Sequence, residues 1–177
     1  MGATSVRRAG RNVRAVVLPI SARSTLRPAK RSCRQMFNPT RAQVREFFCA
    51  AWRKHRERSL LEGAEATAVD VIIRHPEYHA LLADPELAAA QEYLPEGGQL
   101  NPFLHLSLHL AIAEQLSIDQ PPGIRAAFQA LAARLDPHAA EHRILECLGE
   151  ALWRAQRERT TIDAVAYLEC VWRAAKG

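Results

Sequence analysis

From residue 39 onward the apolar positions recur at three- and four-residue spacing, and no segment alternates with the period of two that a half-buried strand needs. Val44, Phe47, Phe48, Ala51 and Trp52 fall at i, i+3, i+4, i+7 and i+8, with Arg45, Glu46, Arg53 and Lys54 opposite, which predicts an amphipathic helix over about 39–58. Leu61, Ala64, Ala68, Val71 and Ile72 form the stripe of a second helix over about 61–75. It must stop or bend at Pro76, because a proline disfavours helix in the residue before it. Short helical pieces over 76–83 and 85–92 follow, then a loop at Pro95, Gly97 and Gly98. The segment Asn101–Ile118 is apolar on nearly every side apart from its histidines, as expected of a central helix.

Pro121-Pro122-Gly123 interrupts the pattern. Beyond it, Ile124, Phe128, Leu131 and Leu135 line one helix, and Ile144, Leu145, Leu148 and Leu152 line a long one over 137–157. Val165, Leu168, Val171 and Trp172 line a last helix. Four dipeptides pair a capping side chain with a proline suited to the first helical turn: Asn38-Pro39, Asp84-Pro85, Asn101-Pro102 and Asp136-Pro137. Thr160, three residues before Asp163, resembles a capping-box start for the last helix. The expected fold is all-α: an antiparallel, bundle-like single domain over 36–177 with about five or six main helices and no sheet.

With 177 residues, 48% of them hydrophobic, the chain has enough apolar material for one core. The charge changes the picture at one end. Of the 24 Lys and Arg, nine lie in residues 1–35 and fifteen beyond, whereas all 19 Asp and Glu lie beyond, so the body carries a net −4. The Arg/Ser-rich leader has no periodicity, and its composition predicts disorder. Met36 stands directly before the first helix signal and is a plausible start of the native protein. The leader's charge offers a nucleic-acid-binding alternative, although the folded body has no basic reading face. No apolar run is long enough to span a membrane or to serve as a secretory core, so a cytoplasmic location is expected. Cys33, Cys49, Cys147 and Cys170 are scattered without a Cys-x-x-Cys, which suggests neither a disulfide framework nor a cysteine zinc site.

Six of the seven histidines form pairs spaced four apart: His75/His79, His105/His109 and His138/His142. On a helix such residues sit about 40° apart and one turn up, so both rings can reach one ion. His138, His142 and Glu146 share one stripe, and facing His105 and His109 they would offer four imidazoles and a carboxylate, a set suited to Zn, Fe or Mn. Glu114 and Glu150 are the expected supporting carboxylates. All of this requires that the helices bearing His105 and His142 be neighbours. His75 and His79 are separated by Pro76, and His75 is read as a cap on a helix C-terminus. His55 stands alone.

The alternative is that these histidines hydrogen-bond to backbone and carboxylates and fix how the helices dock, within a non-catalytic interaction module or a homo-oligomer. Known catalytic motifs give little help. No histidine follows an acid by three, which excludes the Glu-x-x-His of carboxylate di-iron bundles. His138-Ala139-Ala140-Glu141-His142 matches an inverted zincin pattern with Glu141 as base, on five residues only. Cys147 lies about 140° around the helix from His142 and reads as a small buried residue, not as a nucleophile.

The phrases His75-Pro76-Glu77-Tyr78-His79, Asn101-Pro102-Phe103-Leu104-His105-Leu106-Ser107, Ser117-Ile118-Asp119-Gln120-Pro121-Pro122-Gly123-Ile124 and Glu146-Cys147-Leu148-Gly149-Glu150 together resemble a bacterial family, the domain-of-unknown-function family 1841. The resemblance runs from Met36 to the end. It implies a small soluble bacterial protein and carries no assigned reaction. Reaction, substrate and partner are not legible in the residues. The specific expectation is a transition metal held by His105, His109, His138, His142 and Glu146.

Overall fold

Thr40, not Asn38, starts the first helix. Its hydroxyl accepts from the Gln43 N–H at 3.2 Å, and the Gln43 side chain accepts from the Thr40 N–H at 2.8 Å, a closed capping box. The computed structural model describes residues 39–93 and 100–177. The leader, Met36, Asn38 and the loop at Pro95, Gly97 and Gly98 lie outside the described residues.

The elements are α1 (Arg41–Arg56), α2 (Ala64–Ile73), a 3₁₀ turn (Pro76–Tyr78), α3 (His79–Leu82), α4 (Pro85–Ala90), α5 (Pro102–Ile118), α6 (Ile124–Ala132), α7 (Pro137–Glu158) and α8 (Ala164–Lys176). The protein is an all-α single domain, with no strand among the described residues. Six of its helices have nine residues or more. Asp84, Asn101 and Asp136 each cap the helix that follows, with proline at its first turn as the sequence predicts. The last helix departs from expectation. Asp163 is itself the cap, its carboxylate accepting from the Val165 and Ala166 N–H groups, and Thr160 plays no part in it. Val165, expected on the inner stripe, falls on the outer face and is 69% exposed, while Tyr167, Val171 and Ala175 turn inward where α8 packs on α6 and α7.

The apolar side chains gather into two cores. Phe48, Ala51 and Trp52 of α1, Ala68, Val71 and Ile72 of α2, Leu82 and Ala88 form the first, together with Phe103 and Leu106 from the start of α5. Ile112, further along α5, joins Ile124 and Leu131 of α6, Ile144 and Leu148 of α7, and Tyr167 and Val171 of α8 in the second. Burying each of the larger aliphatic side chains contributes about 1.5–3 kcal/mol, so both cores hold the helices firmly. α5 belongs to both, which is why it is apolar nearly all round. It packs against α2 on one side and against α6 and α7 on the other.

The expectation of unpaired cysteines fails. Cys147 of α7 and Cys170 of α8, 23 residues apart, are joined in a disulfide, because the packing of these two helices brings their Cα atoms to 5.8 Å. Cys49 is free and buried in the first core. Among the described residues no helix is long and apolar enough to cross a membrane.

Candidate metal centre

The seam between the two cores is where the histidines meet. α5 crosses it with His105 and His109, which lie between Phe103 of the first core and Ile112 of the second, and both rings are buried. α7 approaches with His138 and His142 in its first two turns, anchored by the Asp136 cap. Ring centroids of His105 and His109 lie 5.2 and 4.9 Å from that of His142, so the helices bearing these pairs are neighbours.

The fifth histidine arrives by a route the helical spacing did not reveal. Pro76 forces His75 out of helical geometry, at φ −124 and ψ 67, as α2 ends. The ring folds back under its own helix, where Nδ1 donates to the Val71 carbonyl at 2.8 Å. This caps α2 as expected. It also fixes the tautomer, leaving Nε2 as a lone pair aimed into the seam, 3.0 Å from Nε2 of His105. His75 is 1% exposed, and its centroid is 4.6–6.1 Å from those of His105, His109, His138 and His142. Tyr78, on the same turn, packs against both His75 and His105.

His109 is oriented by a carboxylate. Its Nδ1 donates to Glu141 Oε2 at 3.0 Å, and Glu141 Oε1 accepts from Arg74 at 2.6 Å. Burial pushes the Glu141 carboxyl up, but the hydrogen bonds from His109 and Arg74 outweigh it and hold it below its ordinary value. Glu141 is therefore ionised and already matched. Among the described residues, three buried ring nitrogens have no hydrogen-bond partner: His109 Nε2, His138 Nδ1 and His142 Nε2.

Ligand atoms of His75, His105, His109 and His142 all lie within 4.8 Å of one another, and a second group joins His109, His138 and Glu141. Two imidazole nitrogens bound to one ion at about 2.1 Å sit roughly 3.0–3.4 Å apart, so the spacing of His75 and His105 is already that of a coordination sphere. The four-histidine group is the better cation site. In the other, Glu141 is committed to His109, and the Arg74 guanidinium beside it would repel a second cation. Burial, followed by the neighbouring imidazoles, pushes His105 down to about 4. Burial lowers His75, His138 and His142 as well, so the cluster favours neutral rings, the form that binds metal.

The expected carboxylates do not reach this centre. Glu146 points outward, 62% exposed and paired with Arg143, because it lies one turn beyond the point where α7 faces the seam. Glu150 is exposed and pairs with Arg154. Glu114 is half-buried, which raises its carboxyl pKa, and it bonds to none of the histidines. His79 also stays outside. Its Nε2 donates to the Ile72 carbonyl at 2.9 Å and its ring packs on Trp52, so it secures the end of α2. His55 stacks on the same tryptophan, with ring centroids 5.3 Å apart. Glu141, considered from sequence only as a catalytic base, has its carboxylate taken up by His109 and Arg74, partners 32 and 67 residues away that no local spacing reveals.

The family model described as Domain of unknown function (DUF1841) matches residues 40–173, and the chain belongs to that family. The match spans every ring of the cluster. No curated protein and no solved structure matches the chain.

Proposed function

We propose that this member of the DUF1841 family holds one transition-metal ion in the seam between its two cores. His75, His105, His109 and His142 are the ligands, and His138 is the adjoining fifth imidazole. Glu141, held by Arg74, orients His109 and raises its basicity, as carboxylates behind metal-bound histidines do. The single observation that carries the reading is the set of three buried, unpartnered ring nitrogens at a cluster whose two remaining rings bring their Nε2 atoms to 3.0 Å. Each buried polar atom left unpaired costs about 1–3 kcal/mol, and a cation bound by His109 Nε2 and His142 Nε2 removes that cost for two of the three. With no carboxylate among the ligands, an all-imidazole set suits Zn or Fe better than Mn.

Elemental analysis of the full chain, purified without chelator, tests this. Near-stoichiometric Zn or Fe supports it. A clean absence that persists after metal is offered back overturns it, leaving the histidines as docking elements of an interaction module. The reading includes a helical domain over 36–177 and residence in a bacterial cytoplasm, with the Cys147–Cys170 bond as the observation that bears against a simply reducing setting. A nucleic-acid role for the leader predicts binding that falls steeply with salt and vanishes in a chain starting at Met36.

A further inference from the structure

The disulfide between α7 and α8 stands apart from the histidine centre and is explained by nothing in it. It lies along open grooves on both sides. One, of about 420 Å³, is lined by Cys147, Arg154, Thr160, Asp163, Cys170 and Arg173 among others. The other also presents Cys147 and Cys170, beside Arg143, Glu146 and Arg173. One side of the bond rests on the second core, to which Cys147 belongs and against which Cys170 packs, and the other is flanked by the charged and hydroxyl groups of the grooves. The two cysteines differ: Cys147 is 6% exposed and Cys170 is half-buried. Arg173, one turn after Cys170 on α8, is exposed and has no ion-pair partner among the described residues, so a cation stands beside the half-buried cysteine. Of the acids around the grooves, Glu146 and Glu150 are engaged by Arg143 and Arg154, and Asp163 by the helix cap, while Glu158 and Glu169 also line the first groove.

We propose that Cys147–Cys170 is a reversible thiol–disulfide exchange site whose substrate class is a dithiol, either a small molecule or an exposed protein cysteine pair. An incoming thiolate, its proton lost to solvent, attacks Cys170 Sγ. The Cys147–Cys170 bond breaks, and Cys147 leaves as a thiolate that takes up a proton. The partner's second thiolate then attacks the mixed disulfide, releasing Cys170 as a thiol. The net result is two electrons and two protons gained by the protein and an oxidised partner. Unlike a buried clip, this bond opens without unfolding, because Ile144, Leu148, Tyr167 and Val171 hold α7 and α8 together independently of it.

The test treats the full chain, purified without reductant, with dithiothreitol in native buffer, then alkylates it and reads Cys147 and Cys170 by peptide mass. The expected result is both cysteines protected before treatment and both alkylated after it, with helical circular dichroism unchanged and the bond re-forming on addition of oxidised glutathione. Both cysteines free from the outset would overturn the proposal, as would a bond that opens only in denaturant. The Cys147→Ser and Cys170→Ser variants supply the second reading: each should form a mixed disulfide with glutathione at the remaining cysteine, Cys170 faster than Cys147. Equal rates, or no adduct at Cys170, would overturn the assignment of the attacked sulfur. Metal content, read after reduction by a phosphine because a dithiol itself binds Zn, should be the same before and after, which keeps this result separate from that of the histidine centre.

Discussion

His109 donates its Nδ1 proton to Glu141 at 3.0 Å, and that bond turns its other ring nitrogen into a fully buried lone pair at the meeting point of five histidines. Glu141 holds this position because Arg74, from the end of α2, grips its second oxygen. Three elements distant in sequence are thereby tied at one ring. Glu141→Gln keeps the shape but weakens the orienting acceptor, and it should reduce metal affinity about 10–100-fold. Competition titration against a colorimetric chelator measures it, and an unchanged affinity would show that Glu141 acts only in helix docking.

His109→Ala removes the ligand at the centre of the cluster. Metal content should fall to background while circular dichroism still reports a folded helical protein, since both apolar cores remain. Stoichiometric metal in this variant would sink the assignment.

A chelator should lower the melting temperature of the wild-type protein. An ion present at a hundred times its dissociation constant stabilises by about 2.7 kcal/mol, which for a domain of this size is roughly 5–10 °C. Differential scanning fluorimetry with and without chelator gives the answer, and identical curves would favour purely structural histidines.

The metal-free protein should be acid-sensitive in a defined window. His105 is held down at about 4, and burial lowers His75, His138 and His142 too, while in the unfolded chain histidines titrate near 6.5. Below about 6.5 the unfolded state therefore binds protons that the folded state refuses. The stability is fully present above that pH and is lost as pH falls through about 4, on the order of 3 kcal/mol from His105 alone. Denaturant midpoints between pH 4 and 7.5 should fall with acidity, and a flat profile would contradict the burial of neutral rings.

Two substitutions, one on α7 and one at its cap, should differ in effect. Glu146→Ala breaks only an exposed pair with Arg143, so metal content should hold and stability should change by less than about 0.5 kcal/mol. Asp136→Ala removes the cap that fixes the turn bearing His138, and should cost about 1 kcal/mol in a denaturant melt.

The helical fold was legible in the residues because its signals are local. A capping side chain with a following proline, or an apolar stripe at 3.6-residue spacing, acts within one or two turns, and Asp84, Asn101 and Asp136 each cap a helix where the pattern places them. Even there, near-equivalent local choices needed the structure: Thr40 over Asn38, and Asp163 over Thr160. The His105/His109 and His138/His142 pairs were visible for the same reason, since spacing alone puts each pair on one stripe. That the stripes face each other, that Glu146 lies past the seam, and that Cys147 meets Cys170 depended on how α5, α7 and α8 pack, and no local spacing encodes that. His75 shows the limit most clearly. The proline that removes it from helical spacing is what turns its ring into the centre, so its role follows from a chain bend and a tertiary contact with α5 that only the folded structure brings together.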